Sequence, residues 1–423
     1  MTATQEFPLV RREIAGLSIA ELAERFGTPF YAYDAARIHE KIEHLRAFDA
    51  IRYAQKACSN IAILDLMRRA GVVVDAVSAG EIERALAAGY KPGGEPPAIV
   101  YTADIFDRDA LALVVQHGIP VNAGSPDMID QLGEARPGAE LTLRINAGFG
   151  HGHSQKTNTG GAQSKHGIWH EQLDDCLLRA DRHGLNISGV HMHIGSGTDL
   201  EHLAQVCGAL EAAALKVGRS VTAISAGGGL PTRYRATDTY VDIGAYYELW
   251  NAVREKLQQA FGHAVRLEIE PGRYLVAESG YLVSEVRAVK QMGENLFYLV
   301  DAGFNNLARP ILYGAYHPMS LCPRGTGLPG EPQEAVVGGP LCESGDIFTQ
   351  EEGGFVSRRR LPPAAVGDLL VIECAGAYGW VMGSNYNSKP LAPEVLIRGG
   401  EAHLIRARQT SADLIRGETI PPA

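Results

Sequence analysis

Lys56, the glycine run Gly227–Gly229 and Glu270 are the places where residue type and setting point to chemistry. Lys56 closes a strand-like run, Ile51-Arg52-Tyr53-Ala54-Gln55-Lys56. An amine at the carboxyl end of a strand projects into a partly desolvated mouth, where a neutral, Schiff-base-forming amine becomes accessible. A solvated surface lysine is the plain alternative, and the neighbours must decide. The run Ala226-Gly227-Gly228-Gly229-Leu230-Pro231 lets backbone N–H groups converge on phosphate oxygens without Cβ obstruction, unless it is only a flexible turn. Arg273, in Glu270-Pro271-Gly272-Arg273, adds a charged donor fork. Glu270 itself needs a cationic partner or takes up a proton. A protonated pyridine nitrogen is such a partner, and the pairing turns the ring into an electron sink. Amine, phosphate cradle and carboxylate together describe pyridoxal phosphate.

His191-Met192-His193 precedes Ile194-Gly195-Ser196-Gly197. Alternate strand residues share a face, so both histidines are expected to point inward. One reading is a metal pair completed by His151, His153 or His166. Those three lie in a loop rich in Gly, Ser and Thr with no carboxylate at ligand spacing, so no metal is expected. A second reading stacks one histidine flat on an aromatic cofactor while Ser196 and the glycines reach its phosphate. A third leaves both histidines satisfied inside the fold, which suits His191 better than His193.

These residues must be positioned by an ordered framework, and the hydrophobic pattern supplies one. Strand-like runs fall at Ile51–Lys56, Val72–Val77, Ala98–Thr102, Pro120–Ala123, Glu140–Ile145, Ser188–His193, Val221–Ala226 and Arg266–Glu270. Between them lie helix-period segments such as Ala79–Ala88, Arg108–His117, Gln172–His183, Ala204–Val217 and Tyr246–Phe261. Eight β runs separated by helices are the count of a (β/α)8 barrel of the TIM type. The alternative, a doubly wound open sheet, lacks its GxGxxG fingerprint. Polar residues end nearly every run: Lys56, Asp75, Thr102, Asn122, Arg144, His191 and Glu270. Barrel active sites are built at that end, with phosphate sites frequent after strands seven and eight. The ring therefore predicts an enzyme.

The pattern changes near Gly280. Tyr281–Val289, Leu296–Asp301, Ala335–Gly338, Leu369–Cys374 and Glu394–Ile397 read as strands with Gly- or Pro-rich connections. The expected organisation is a lead-in over 1–34 that packs on the later domain, a barrel over 35–279, and an antiparallel β-domain over 280–423. Leu321–Gln333 reads as a mobile loop.

Composition narrows the class. The 423 residues include 39 basic and 49 acidic side chains, a net charge of −10 that argues against nucleic-acid or anionic-membrane partners. The first residues show no basic region followed by an apolar stretch, and no run is long enough to span a bilayer. Six scattered cysteines without a CxxC pair read as free thiols in a reducing cytoplasm. Glycine is high, at 48 residues, and the excess sits in GG and GGG clusters, as tight turns and close ligand approach require.

Six motifs in order carry a family resemblance over nearly the whole chain: YAQKACSN, HMHIGSG, SAGGGLP, LEIEPGR, the run Cys342–Asp346 (CESGD) and Gly376–Gly379 (GAYG). The chain resembles the barrel, alanine-racemase-type pyridoxal-phosphate decarboxylases, and among them the bacterial diaminopimelate decarboxylases. The resemblance implies that Lys56 forms the internal Schiff base and His193 stacks on the ring. It assigns Ser196, Gly228, Gly229, Glu270, Gly272 and Arg273 to the phosphate and pyridine nitrogen, with Tyr378 also contacting the cofactor. Arg273, Arg309, Tyr313, Glu343 and Tyr378 match substrate contacts, and Cys342 is the expected acid. In that family Cys342 and Glu343 reach the site from a second subunit, so a homodimer with shared active sites is implied. Many relatives read VKAN and SKFG where this chain has Gln55-Lys56-Ala57-Cys58 and Ser164-Lys165-His166-Gly167; neither change replaces a catalytic group, and both mark one branch of the family.

The substrate follows from charge. Meso-2,6-diaminopimelate carries a second amino-acid head, which needs an anion for its ammonium and a fork for its carboxylate. Glu343 and Arg309 supply these, with Tyr313 as a hydroxyl donor, unless Arg309 is only a domain-interface salt bridge. The expected reaction is decarboxylation to L-lysine and CO2, with Cys342 or Lys56 returning a proton to the α-carbon. The alternatives are a relative acting on D-lysine or ornithine, a catalytically silent pyridoxal-phosphate-binding homologue, and, more distantly, a metal hydrolase.

Overall fold

The computed structural model describes residues 7–149, 160–193, 199–325 and 330–422. The chain forms two compact units: His39–Pro231 with Tyr240–Leu275, and Met1–Ile38 with Thr232–Thr239 and Val276–Ala423.

The first unit is a closed barrel of eight parallel strands: β1 (Ala50–Ala54), β2 (Val73–Ala76), β3 (Ile99–Ala103), β4 (Val121–Ala123), β5 (Glu140–Asn146), β6 (Asn186–His191), β7 (Ala223–Ser225) and β8 (Arg266–Ile269). Each pairs in parallel with its neighbour, and β8 returns to β1 through Glu268 opposite Ala50 and Ile269 opposite Ile51. Short apolar runs buried on both faces suit this architecture. Helices follow because polar caps stand immediately after the strands. Asn60 accepts from Ala62 N at the head of Ile61–Arg69, and Ser78 accepts from Glu81 N at the head of Ala79–Ala87. Asp107 and Asp242 do the same for Arg108–His117 and Ile243–Phe261. Each helix turns an apolar face inward, as with Ile63, Leu64, Leu66 and Met67.

Two strand ends differ from expectation. β1 stops at Ala54, and Lys56 sits on a single 3-10 turn, Gln55–Ala57. β6 stops at His191, so His193 lies beyond the strand and does not share a strand face with His191. In both cases the motif's polar residues leave the ladder to bond side chains and turns, which ends the strand sooner than its apolar pattern suggests.

The second unit is built on a sheet running Arg359–Leu361, Gln333–Gly338, Asn295–Val300, Gly280–Met292, Phe30–Asp34, Glu394–Arg398 and Glu401–Arg406. Leu369–Ile372 joins it through Gly280–Met292 and carries Met319–Cys322. Most pairings are antiparallel, but Asn295–Val300 with Gln333–Gly338 and Phe30–Asp34 with Glu394–Arg398 are parallel. The sheet is therefore mixed rather than antiparallel throughout. The cause is topological: Phe30–Asp34 enters between two strands that come some 250 or more residues later, so no hairpin dictates its direction. Phe30, Ala32, Val283, Val371, Val395 and Ile397 form the core, with Ile14 and Ile19 packed among them. Of the segment expected as a loop, 321–322 and 333 are strand, and 326–329 lie outside the described residues. Among the described residues no helix is long and apolar enough to cross a membrane.

Candidate active site

The carboxyl ends of the barrel strands carry a connected set of polar side chains. Glu270, just past β8, is buried, and its Oε2 accepts from His191 Nε2 at 2.7 Å. Its Oε1 accepts from Ser225 Oγ at 3.1 Å. Burial pushes the Glu270 carboxyl up, but the charge of and hydrogen bond from His191, and then the Arg52 charge, outweigh it and bring it down to about 2. Asp75, buried at the end of β2, goes the other way: burial and then the Glu270 charge raise it well above the carboxylate range, and its Oδ1 has no partner. Thr102 bonds to Asp75, and Asn122 Nδ2 donates to Thr102 Oγ1 at 3.3 Å. Two neighbouring carboxyls are thus shifted in opposite directions, a split typical of acid–base sites.

Lys56 is exposed on its turn and contributes positive field to Asp75 and Glu81. The turn is pinned from both sides. Gln55 is fully buried and donates through Nε2 to Asp75 O at 3.3 Å and Glu81 O at 3.1 Å, while Tyr53 Oη donates to Cys58 O at 3.0 Å. The glutamine that marks this branch therefore anchors the lysine turn to β2.

His193 meets the glycine run. Gly228 N donates to His193 Nδ1 at 3.0 Å, and Gly227 N donates to Ser225 Oγ at 3.2 Å. A Cβ on Gly227 would lie 2.3 Å from Met192 O and 2.8 Å from His193 Cβ; on Gly228 it would lie 2.6 Å from Glu270 O and 2.9 Å from His193 Cε1. Only glycine fits between the histidine and β8. Two of the three N–H groups expected to face a phosphate are thus spent within the chain, and Gly229 retains the third. Burial, then the nearby Arg144 and Lys56 charges, hold His193 well below the ordinary imidazole range. The ring is neutral, with Nδ1 as acceptor. The two histidine rings are 6.5 Å apart and their bonds lead to different partners, and no His/Cys/Asp/Glu cluster among the described residues could hold a metal.

Gly272 packs against Ala54 and Ala57, and Arg273 opens the short helix Arg273–Val276. His166 Nδ1 lies 2.6 Å from Asp104 Oδ2, and Asn146 ties together Gly148, Gly161 and His166. Ser196, His151 and His153 lie outside the described residues.

The remaining expected residues belong to the second unit. Arg309 is buried on Arg309–Tyr313; its Nη1 donates to His317 Nε2 at 2.8 Å, and its guanidinium lies over the Tyr234 ring at 4.9 Å. His317 Nδ1 donates in turn to Glu373 O at 3.0 Å. Tyr313 is half-buried, and Cys342 and Glu343 are exposed on one loop. Buried Asp346 holds that loop, accepting from Leu341 N at 2.8 Å and Phe304 N at 2.7 Å, while Cys342 N donates to Asn387 Oδ1 at 2.7 Å. Tyr378 is half-buried with φ +56°.

Ser225, Gln55, His317 and the buried Arg52–Glu268 pair were not singled out from sequence. The signal was present for the pair: Glu268 and Glu270 alternate on one strand, so both face the barrel interior, and each demands a partner.

The donor set fits pyridoxal phosphate. It offers an ionised carboxylate for a pyridinium, a neutral imidazole beside it, an amine on the adjoining turn and the unspent Gly229 N–H. Fold and site define a barrel-type pyridoxal-dependent decarboxylase. Residues 35–277 match the family "Pyridoxal-dependent decarboxylase, pyridoxal binding domain". The chain is 55% identical to the diaminopimelate decarboxylase of Streptomyces coelicolor, covering 99% of this chain and 96% of that one. It is also 55% identical to that of Escherichia coli K12, covering 96% and 98%. A crystal structure of a diaminopimelate decarboxylase superposes with a TM-score of 0.93 at 54% identity, over 97% and 98% of the two chains. The Helicobacter pylori enzyme complexed with L-lysine gives 0.84 at 30% identity, over 94% and 98%. The chain belongs to the diaminopimelate decarboxylase family.

Proposed function

We propose that this protein decarboxylates meso-2,6-diaminopimelate to L-lysine and CO2, the last step of lysine biosynthesis, as a cytoplasmic homodimer. The observation that carries the substrate assignment is Arg309, a buried guanidinium fixed in place by His317. A buried arginine offers a planar fork suited to a carboxylate, and the distal head of diaminopimelate has one where D-lysine and ornithine have none. The near full-length identity to diaminopimelate decarboxylases supports the same reading.

When bound, pyridoxal phosphate supplies an aldehyde for the substrate amine and a ring that accepts the electrons of the breaking carbon–carboxylate bond. The chain's residues do the rest. Lys56 would hold the cofactor through its aldehyde. Glu270 would hold a proton at the ring nitrogen, and His193 would contact the ring. Ser196, Gly229, Gly272 and Arg273 would hold the phosphate end, Gly228 would shape the turn that presents Gly229, and Tyr378 would add a further cofactor contact. Arg273, Arg309, Tyr313, Glu343 and Tyr378 bind the substrate, with Glu343 taking the distal ammonium. Cys342 or Lys56 returns a proton to the α-carbon. Cys342 and Glu343 stand exposed on a loop, as groups offered to a neighbouring subunit would.

The test is CO2 release from meso-diaminopimelate, ornithine and D-lysine. Turnover of the first alone is expected; turnover of only the others would overturn the assignment. Arg309→Ala should lower kcat/KM for diaminopimelate by about 100-fold, through the lost charged fork. Shared sites are tested separately by mixing Lys56→Ala with Cys342→Ala subunits, each inactive alone. An equimolar mixture should recover about a quarter of wild-type turnover, because half the dimers are hybrids and each carries one intact site of two. No recovery after verified subunit exchange would place both residues in one subunit.

A further inference from the structure

We propose that His191 is a positioning residue that fixes Glu270 and thereby sets whether the cofactor's ring nitrogen keeps its proton. This rests on the role of Glu270 given above. The two groups are 79 positions apart and both almost fully buried, and their 2.7 Å contact is the shortest of the bonds made to Glu270. Glu270 is acceptor-only when ionised, so His191 Nε2 must carry the hydrogen. Ser225 Oγ accepts from Gly227 N, which turns the serine hydrogen toward Glu270 Oε1. Each carboxylate oxygen therefore has one donor from the chain and a lone pair left for one more. A carboxylate pinned at both oxygens cannot rotate, which fixes where that further donor must lie.

The other ring nitrogen of His191 completes the argument. Nδ1 is buried and has no partner. His191 lines a cavity of about 40 Å3 inside the barrel, shared with Asn122, Thr142, Ser188, Ser225 and Glu270 and bounded below by the Arg52–Glu268 pair. That volume admits water and its walls are part polar and part apolar, so water on the polar side is the partner left to Nδ1. Arg52, Glu140, Arg266 and Glu268 are the other titratable groups lining this space, and Glu268 is paired with Arg52 and Arg266. His191 Nε2–H thereby holds the Glu270 carboxylate in place for the ring nitrogen.

The test uses holoenzyme reconstituted with ring-15N pyridoxal phosphate and reads the ring nitrogen by NMR across the neutral pH range. In wild type the resonance is expected at the protonated position throughout. In His191→Ala it should move to the unprotonated position within that range, with kcat lowered about 10- to 100-fold and KM little changed, as for loss of a hydrogen bond to a charged group. His191→Gln keeps a donor and should retain the protonated resonance. His191→Phe, which fills the space without a donor, serves if the alanine variant does not hold cofactor, and should behave as alanine does. A protonated resonance in the donor-less variants overturns the proposal, whatever happens to turnover. An unprotonated ring nitrogen in wild type would instead sink the role given to Glu270 itself.

Discussion

In the barrel unit, Glu270, His191, Asp75, Thr102 and Asn122 are buried at strand ends and bond to one another, with Asp75 Oδ1, Asn122 Oδ1 and His191 Nδ1 left without a partner. In the β unit, Cys342 and Glu343 stand exposed on a loop that is shaped by bonds to its backbone, from Asp346 and Asn387. The contrast separates two ways of preparing a functional group. Strand ends in a barrel converge, so polar residues there share a low-dielectric space and alter one another's charge. A loop leaves its side chains free to meet something else, and rigidity must come from the main chain beneath them.

The sharpest way to break this contrast is Lys56, which belongs to the barrel yet is exposed. Lys56→Ala should cost roughly 1,000-fold or more in decarboxylation, because it removes the proposed covalent anchor of the cofactor. The melting temperature of the cofactor-free protein should stay close to wild type. A large loss of stability would show that the exposed turn supports the barrel after all. Asp346→Ala tests the loop. It strands two buried N–H groups, of Leu341 and Phe304, and should destabilise the β unit by roughly 2–4 kcal/mol in denaturant unfolding. If stability were unchanged, the loop's backbone would not depend on that carboxylate.

The smallest effect expected concerns charge coupling in the barrel. The Asp75 carboxyl is raised in the folded protein, so its ionised form is disfavoured, and wild type loses stability as pH rises above the unfolded carboxylate value near ~4. Asp75→Asn carries no such titration. Its stability relative to wild type should therefore improve by about 1 kcal/mol between mildly acidic and slightly alkaline pH. Glu270 has the opposite sign: its stabilising contribution is present above the ordinary carboxylate pKa and is lost as pH falls toward about 2. A difference between Asp75→Asn and wild type that does not vary with pH would mean that the two carboxyls do not divide their charge as described.

Much of the barrel is legible in the chain because each strand is a short apolar run closed by a polar residue. All eight runs lie where the pattern puts them, with ends shifted by up to two residues. The shifts have local causes: Gln55 leaves the ladder to reach Asp75 O and Glu81 O, and His193 leaves it to meet the glycine turn. Harder to read was the β unit, where Arg359–Leu361, Met319–Cys322 and Glu401–Arg406 carry arginines, serine or histidine in place of apolar alternation. Thr232–Thr239 also escaped the reading, since a segment following SAGGGLP gives no local sign that it will leave the barrel for the other unit.

The sequence by itself determined the order of strands and helices, the place of Lys56, Gly227–Gly229 and Glu270 at strand ends, and the family motifs. Periodicity, capping residues and glycine runs act over a few positions, and those are visible in one dimension. Only the tertiary structure decided that His191 holds Glu270, that Arg52 meets Glu268 from 216 positions away, and that Phe30–Asp34 lies between Gly280–Met292 and Glu394–Arg398. Barrel closure and sheet register bring those residues together. A charge such as Glu270 takes its protonation from neighbours that the chain order does not reveal.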